Sequence, residues 1–386
     1  MARIIATAEN FAFGPAGKLV TVAERLSRQG HQLTFVGYGT AFQLARRSGF
    51  WEDVVERDTD GESFQRYCEN SLRSFDLLLS CVDRSSAEMA KGQDVPVVWL
   101  DPLSWWWDEL PDWVSDLDLR ITQRTIGAEP SEHAPQQRSN HVVVGPIVGS
   151  IPRLENALSA TDLLVNFGGG EAAGWYKLGK DTNYPYLVVE SLHSHVDLTK
   201  FSSVTITGGE RFVSECRRRW PASRYSFECL GHQDFLERLA SSCAFLTVPG
   251  LEAPLEAWSA GIPTLFLPPS NSSQYVQLDE YRRQGVAAAS IHLRDHLPGL
   301  DLMQLPLRER SARFLEQLGG FEEDSDIRRS WRKQLEAMLN DTRTWPQLVS
   351  DAHAFIDQLG RNGLEDCVEA IEALLRRKGS ESCVYS

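Results

Sequence analysis

One segment of the chain, residues 229–277, arranges turns, a helix start and a carboxylate in the order that a nucleotide site needs. Pro249 and Gly250 follow an apolar run of strand length, and a glycine there lets a backbone approach a ligand without an intervening Cβ. A helix predicted from Glu252 would aim its free N–H groups at the same place, which suits a phosphate. Glu256 lies one turn later, within reach of a ribose diol. The segment therefore predicts a nucleotide site.

Glycine turns follow two other predicted strands in the same half of the chain. Their members are Gly168, Gly169 and Gly170 after one strand, and Thr207, Gly208 and Gly209 after the next. Backbone N–H groups exposed at such turns could bind a diphosphate. A plain chain reversal explains a glycine triplet equally well, so these turns support the nucleotide site without defining it.

A polar triplet follows the next predicted strand of this half, and its members are His232, Gln233 and Asp234. Side chains in this place could contact the base of a nucleotide. Asp234 could instead cap a helix predicted from residue 235, and one loop can serve both purposes.

Two aromatic stretches complete the set of candidate binding residues. Residues 171–184 combine Trp and Tyr with lysines, which predicts a lid over the site. Lys177 of this lid could pair with a diphosphate or an acidic sugar, or it could simply be solvated. In the first half, Trp105, Trp106 and Trp107 belong to a group of four tryptophans within nine residues. Such rings could stack on a planar acceptor or merely pack together.

The elements that would position these residues alternate between strand and helix in two successive halves, which predicts an α/β fold. The first half has predicted strands at 3–8, 32–36, 77–80, 95–100 and 142–144, and a helix at 18–29. The second half has predicted strands at 162–166, 203–207, 225–229, 244–248 and 264–268. Helices are predicted at 307–318, 326–339, 346–359 and 363–377. We therefore expect domains at 1–148 and 162–345, a linker at 149–161, and C-terminal helices at 346–386.

Composition limits the class of protein. A length of 386 residues favours two domains, and a formal charge of −14 argues against nucleic-acid binding. The apolar runs have strand length, so no membrane span is expected. Seven scattered cysteines without metal-type spacing favour reduced thiols and a cytoplasmic location. The sequence is compatible with a homodimer.

The segment 229–277 resembles the C-terminal half of GT-B glycosyltransferases that use UDP-sugars, such as the N-acetylglucosaminyltransferase of peptidoglycan synthesis and the UDP-glucuronosyltransferases. The resemblance implies two Rossmann-like domains facing across a cleft, with a helical C-terminal region that crosses back to the first domain. It assigns the diphosphate to Pro249 and Gly250 and the ribose to Glu256. It assigns the sugar to the loop that contains Ser273 and Gln274.

The resemblance also implies an acceptor site after the first strand, where Phe13 and Gly14 lie. Relatives often place a catalytic His in that loop, and this chain has none. Glu9 is the first substitute as general base, followed by Asp83 and Asp101. Glu9 and Asp83 could instead cap the helices that follow them.

The motifs NFAFGPAGK, VWLDPLSWWWDELP and NFGGGEAAGW are similar to those of cytosylglucuronate synthases. That similarity implies transfer of glucuronic acid from UDP-glucuronate to cytosine or hydroxymethylcytosine. The Asp-x-Asp element at residues 116–118 does not stand at a predicted strand end, so no metal and no cofactor are expected. A UDP-sugar 2-epimerase and a non-catalytic nucleotide-sugar binding protein are the alternatives.

Overall fold

The computed structural model describes residues 1–107, 112–124, 140–151, 161–170, 183–297 and 299–384. The chain forms two compact units, and the first consists of Met1–Gly149 together with Leu359–Ser386. The second unit is Ser150–Gln358. Each unit has a parallel sheet and a hydrophobic core of its own.

The first unit contains a seven-stranded sheet whose strand order is β3-β2-β1-β4-β5-β6-β7. In chain order the strands are β1 (Arg3–Ala8), β2 (Gln32–Gly37), β3 (Asp53–Glu56), β4 (Leu77–Cys81), β5 (Val97–Asp101), β6 (Leu119–Gln123) and β7 (His141–Val144). Every residue of β4, β5 and β6 is buried, as in a parallel sheet covered on both faces. The strand order reverses between β1 and β4, where the polar loops after these two strands meet.

The second unit contains a five-stranded parallel sheet with the order β10-β9-β8-β11-β12. Its strands are β8 (Asp162–Asn166), β9 (Ser203–Thr207), β10 (Ser226–Glu228), β11 (Ala244–Thr247) and β12 (Thr264–Phe266). The order reverses between β8 and β11. Both units thus share one topology around their first strand.

The helices in chain order are α1 (Gly14–Arg28), α2 (Gly39–Arg46), α3 (Glu62–Ser71), α4 (Arg84–Lys91), α5 (Tyr184–Ser194), α6 (Glu210–Arg219), α7 (His232–Ala240), α8 (Glu252–Ala260), α9 (Ser272–Arg283), α10 (Leu307–Glu323), α11 (Ser325–Asn340), α12 (Trp345–Leu359) and α13 (Gly363–Val384). The elements that were not predicted include β3, α2, α3, β6 and α9, the last of which starts within the predicted sugar-side loop. Strand β3 has no buried residue and α3 buries only two, so neither carries a strong apolar pattern. None of the described helices combines the length and the apolar content needed to cross a bilayer.

The C-terminal helices are divided between the two units. Helix α12 belongs to the second unit, where Phe355 meets Trp258 edge-on with ring centroids 5.7 Å apart. Helix α13 belongs to the first unit and packs on α1, β6 and β7, with Cys367 and Ile371 fully buried. The boundary predicted at residue 346 therefore lies one helix too early, because α12 carries its own apolar stripe for the second core.

Candidate functional site

The turns after β8 and β11 are neighbours at the strand-order reversal of the second sheet. These two strands pair in parallel and place Asn166 beside Thr247. The carboxyl ends of strands at such a reversal are where open α/β sheets bind ligands. In the turn after β8, Gly168 and Gly170 have φ of +62° and +66°, a backbone region that a Cβ disfavours. The fold thus needs glycine at both positions.

A buried polar network joins the ends of three adjacent strands. The Asn166 side-chain oxygen accepts hydrogen bonds from the Gly168 amide at 3.0 Å and from the Thr207 hydroxyl at 3.2 Å. Its side-chain nitrogen donates to the Thr247 hydroxyl at 3.3 Å. Buried polar groups are costly unless paired, so this network stabilises one geometry of the glycine turn. Asn166 and Thr247 were not predicted, although a polar residue at the end of an apolar strand is a usable signal.

The predicted glycines differ in how much space a Cβ would have at each position. A Cβ on Gly209 would lie 2.5 Å from the Gly169 carbonyl oxygen, and one on Gly208 would lie 2.5 Å from the Phe212 ring. These two residues therefore allow the turns after β8 and β9 to pack together. A Cβ on Gly250 would meet no atom within 4 Å. The space at Gly250 suits the close approach of a ligand.

The turn at Gly250 is anchored from the opposite side by helix α9. The Tyr281 hydroxyl donates to the Gly250 carbonyl at 3.1 Å and accepts from the side-chain amide of Gln277 at 2.7 Å. Burial raises the pKa of Tyr281, so its hydroxyl keeps its proton and remains a donor. Helix α8 begins at Glu252, as predicted, and has no side-chain cap bond at its N-cap. Its first N–H groups therefore stay suited to an anion.

A histidine and two glutamates form a buried cluster beside this turn. His232 Nε2 lies 2.5 Å from Glu256 Oε1, and these side chains are only 7% and 1% exposed. Glu252 lies on the same face of α8, one turn before Glu256, and ligand atoms of the three residues all lie within 4.8 Å of one another. The cluster can accept hydrogen bonds from a diol. Its donor set also resembles that of a metal site.

The rest of the predicted base-contact triplet lies on the surface of α7. Gln233 and Asp234 are exposed, and Gln233 bonds to Glu237 within the helix at 3.2 Å. The N-cap is Gly231, so the prediction of Asp234 as a cap is wrong. The helix begins three residues earlier than expected because His232 already faces the interior.

The predicted sugar-side loop forms a closed set of hydrogen bonds at the start of α9. Asn271 caps the helix by accepting from the Gln274 amide at 2.8 Å and from the Ser273 hydroxyl at 2.9 Å. The Gln274 side-chain oxygen accepts from the Ser270 amide at 2.9 Å. These bonds fix the loop and hold Ser273 and Gln274 in one orientation. Residues 171–182 of the predicted lid, Lys177 among them, lie outside the described residues. Its last residue, Tyr184, is buried at the start of α5.

The first unit has its own polar edge at the reversal between β1 and β4. Glu9 is exposed, and its amide donates to the Cys81 carbonyl at 3.1 Å, which continues the pairing of β1 with β4. Ala12 and Val82 both have φ of +49°, which is uncommon for residues with a Cβ and costly for a β-branched one. Backbone strain of this kind concentrates at functional sites, so it supports a site at this edge.

The structure sorts the remaining candidates at this edge. Asp83 is buried and caps α4 by accepting from the Ser86 amide at 3.1 Å, so its predicted capping role is confirmed. Burial raises the pKa of Asp83, against the opposing effect of its hydrogen bonds to Ser86 and Thr59. Glu9 does not cap α1, whose N-cap is Phe13. Because α1 starts at Gly14 rather than at Lys18, Phe13 and Gly14 lie at a helix start and not in a long loop.

Asp101 anchors the tryptophan segment. One carboxylate oxygen accepts from Arg120 at 2.6 Å, and the other accepts from the Trp107 indole and the Leu103 amide, each at 3.2 Å. The Asp101 side chain is fully buried and ion-paired, so we do not retain it as a general base. Trp106 is buried and meets Trp105 edge-on at 5.7 Å, so packing accounts for part of this aromatic group.

Solved structures show which fold this is. Spinosyn rhamnosyltransferase SpnG matches with a TM-score of 0.53 and 14% identity, over 96% of this chain and 100% of that chain. S. aureus MnaA in its UDP co-structure matches at 0.54 and 12%, over 97% of each chain. Anabaena Alr3699/HepE in complex with UDP and glucose matches at 0.51 and 13%, over 98% of this chain and 100% of that chain.

These likenesses and the two parallel sheets confirm the predicted fold: an α/β protein of the GT-B type with a helical C-terminal region. At such low identity the likeness concerns the fold alone. The sequence matches no protein-family model and no curated protein.

Proposed function

We propose that this protein is a glycosyltransferase that transfers a sugar from a UDP-sugar to a small-molecule acceptor. One observation carries the proposal: the strand-order reversal of the second sheet brings together a braced glycine turn, an open turn at Gly250 and the buried carboxylate of Glu256. Two proteins of similar fold are named as a rhamnosyltransferase and as a complex with UDP and glucose. Both names support this chemistry.

Each part of the edge has a role in the proposal. Backbone N–H groups at Gly169 and Gly170, with the start of α8, offset the charge of the diphosphate as UDP leaves. The Gly168 amide braces the turn through Asn166 and the Gly250 amide donates to the Val248 carbonyl, so Gly250 contributes space for the diphosphate. Glu256 accepts hydrogen bonds from the ribose hydroxyls. The loop with Ser273 and Gln274 faces the sugar. The reaction needs no metal ion, because backbone donors stabilise the leaving group.

The reaction inverts the anomeric carbon. An acceptor nitrogen or oxygen forms a bond to this carbon while the bond to the β-phosphate oxygen breaks, and UDP leaves with the electron pair. The proton lost by the acceptor goes to Glu9 or Asp83. A ring nitrogen needs less activation than a hydroxyl, which fits a site that lacks the His of related enzymes.

The specific substrates proposed are UDP-glucuronate and cytosine or hydroxymethylcytosine. The three motifs given above support this choice, and so do the partly exposed Trp105 and Trp107, whose rings suit a planar acceptor. The same donor edge would serve any UDP-sugar, so the sugar and the acceptor are the parts of the proposal to be tested first.

The test measures UDP release from UDP-glucuronate, UDP-glucose and UDP-N-acetylglucosamine, with and without cytosine, in the presence of EDTA. We expect release that depends on the acceptor, and a new product whose mass equals sugar plus acceptor. Isomerised sugar without acceptor would instead indicate an epimerase. UDP binding without turnover of any donor would indicate a binding protein, and loss of activity in EDTA would contradict the metal-free mechanism.

The base is tested with Glu9→Gln and Asp83→Asn, and with Glu52→Gln as the exposed control in the same unit. General-base removal typically lowers turnover by about 100-fold or more. We expect such a loss in one of the two variants at saturating substrate and none in the control. Full turnover in both variants would exclude the two carboxylates as the base.

A further inference from the structure

His232 and Glu256 are in direct contact within the buried cluster of the second unit. They come from different helices, α7 and α8, and their side chains are almost fully shielded from solvent. An ionised carboxylate can only accept hydrogen bonds, so the imidazole donates from Nε2 across the 2.5 Å separation. This bond ties down one of the two Glu256 oxygens.

The bond matters because it fixes where the buried Glu256 carboxylate points. A glutamate side chain has three rotatable bonds, and ordering it costs conformational entropy. Glu252 lies within 4.8 Å on the same helix face, and a second carboxylate that close repels the first in a buried setting. The imidazole between the helices offsets this repulsion and sets the direction of the carboxylate.

We infer that His232 is a positioning residue for ribose recognition: it holds the Glu256 carboxylate in the orientation that receives both ribose hydroxyls of the donor nucleotide. The inference rests on the proposed function, since it assumes that Glu256 contacts the ribose of UDP. It assigns His232 a role through Glu256 and no contact with the base. The donor class that follows is a ribonucleotide and not its deoxy counterpart.

Calorimetric titration of UDP, 2′-deoxy-UDP and 2′,3′-dideoxy-UDP into the wild type, His232→Ala and His232→Gln tests this. We expect His232→Ala to weaken UDP by about tenfold or more, the equivalent of one charged hydrogen bond. The same change should weaken the binding of 2′,3′-dideoxy-UDP by less than about twofold, since this nucleotide has no ribose hydroxyl that could donate a hydrogen bond to Glu256. His232→Gln should recover part of the loss, because its amide can donate.

Glu237→Gln, on the exposed face of the same helix α7, is the matched control and should bind like the wild type. An equal loss for all three nucleotides would show that His232 is only structural and would overturn the inference. A wild type that binds none of them would instead refute the proposed function. UDP binding that requires added Zn²⁺ or Mn²⁺ and disappears in Glu252→Gln would assign the cluster to a metal ion and would also overturn the inference.

Discussion

The carboxyl edges of the two sheets have the same topology and opposite chemistry. In the second unit the described parts of the loops at the reversal, residues 167–170 and 248–251, present glycines, and the polar side chains that brace them are neutral apart from the His232 cluster. In the first unit the corresponding loops present the carboxylates of Glu9 and Asp83, next to backbone strain at Ala12 and Val82. One edge suits an anion and the other suits a group that loses a proton.

The comparison shows that strand order places a site without choosing its ligand. Both reversals collect loop residues, because parallel strands end on the same side of a sheet. What the loops carry decides the chemistry: N–H groups in one unit and carboxylates in the other. The buried networks at the two reversals are alike: an amide and two hydroxyls brace the second, and the Thr7, Ser80 and Ser86 hydroxyls contact one another below the first. One strand further along, the first unit adds a buried ion pair between Asp101 and Arg120.

The largest effect is expected from breaking the ion pair of the first unit. Arg120→Met leaves the fully buried carboxylate of Asp101 without its counter-charge, and such changes cost about 3–5 kcal/mol of unfolding free energy. Urea unfolding should show this loss, and the exposed Arg73→Met should be nearly neutral. A small effect of Arg120→Met would mean that the first edge does not depend on this pair.

A glycine pair sharpens the contrast within the second unit. Gly209→Ala places a Cβ against the Gly169 carbonyl and should lower the unfolding free energy by about 1–3 kcal/mol. Gly250→Ala has room for its Cβ and should leave stability within about 0.5 kcal/mol of the wild type. Gly250→Ala should nevertheless weaken the binding of UDP, measured by calorimetric titration. Unchanged UDP affinity in Gly250→Ala would remove this turn from the donor site.

The smallest effect concerns a carboxylate that caps a helix in the second unit, as Asp83 does in the first. Glu322 accepts from the amides of Asn183 and Tyr184 at the start of α5, and burial raises its pKa from 4.5 to about 6. A raised pKa in the folded state means that Glu322 contributes stability below pH 4.5, and that this contribution is lost as the pH rises through 6.

Glu322→Gln, which resembles the protonated acid, should therefore gain stability relative to the wild type between pH 4.5 and 6. The gain should stay below about 2 kcal/mol, because solvent screens a partly exposed group. Urea unfolding at both pH values measures it, with the exposed Glu323→Gln as control. A difference that does not vary with pH would contradict the raised pKa.

Most of the second unit could be predicted from the sequence. Its strands are apolar runs that end in glycine or proline, so β8, β9 and β11 were located to within one residue. The first unit was harder, because β3 and α3 bury few residues and carry little apolar pattern. The start of α1 was misplaced because glycine and proline at a helix start resemble a loop.

Residue types and their order determined the α/β class, the glycine turns and the start of α8, since these depend on local backbone preferences and apolar runs. Only the tertiary structure decided which of the candidate residues stabilise the fold and which remain available to a ligand. Asp101 forms a buried ion pair with Arg120, and Gly209 packs against the Gly169 carbonyl. His232 turns toward Glu256, 24 residues away in the chain. Such pairings depend on which strands become neighbours, and no local pattern records that.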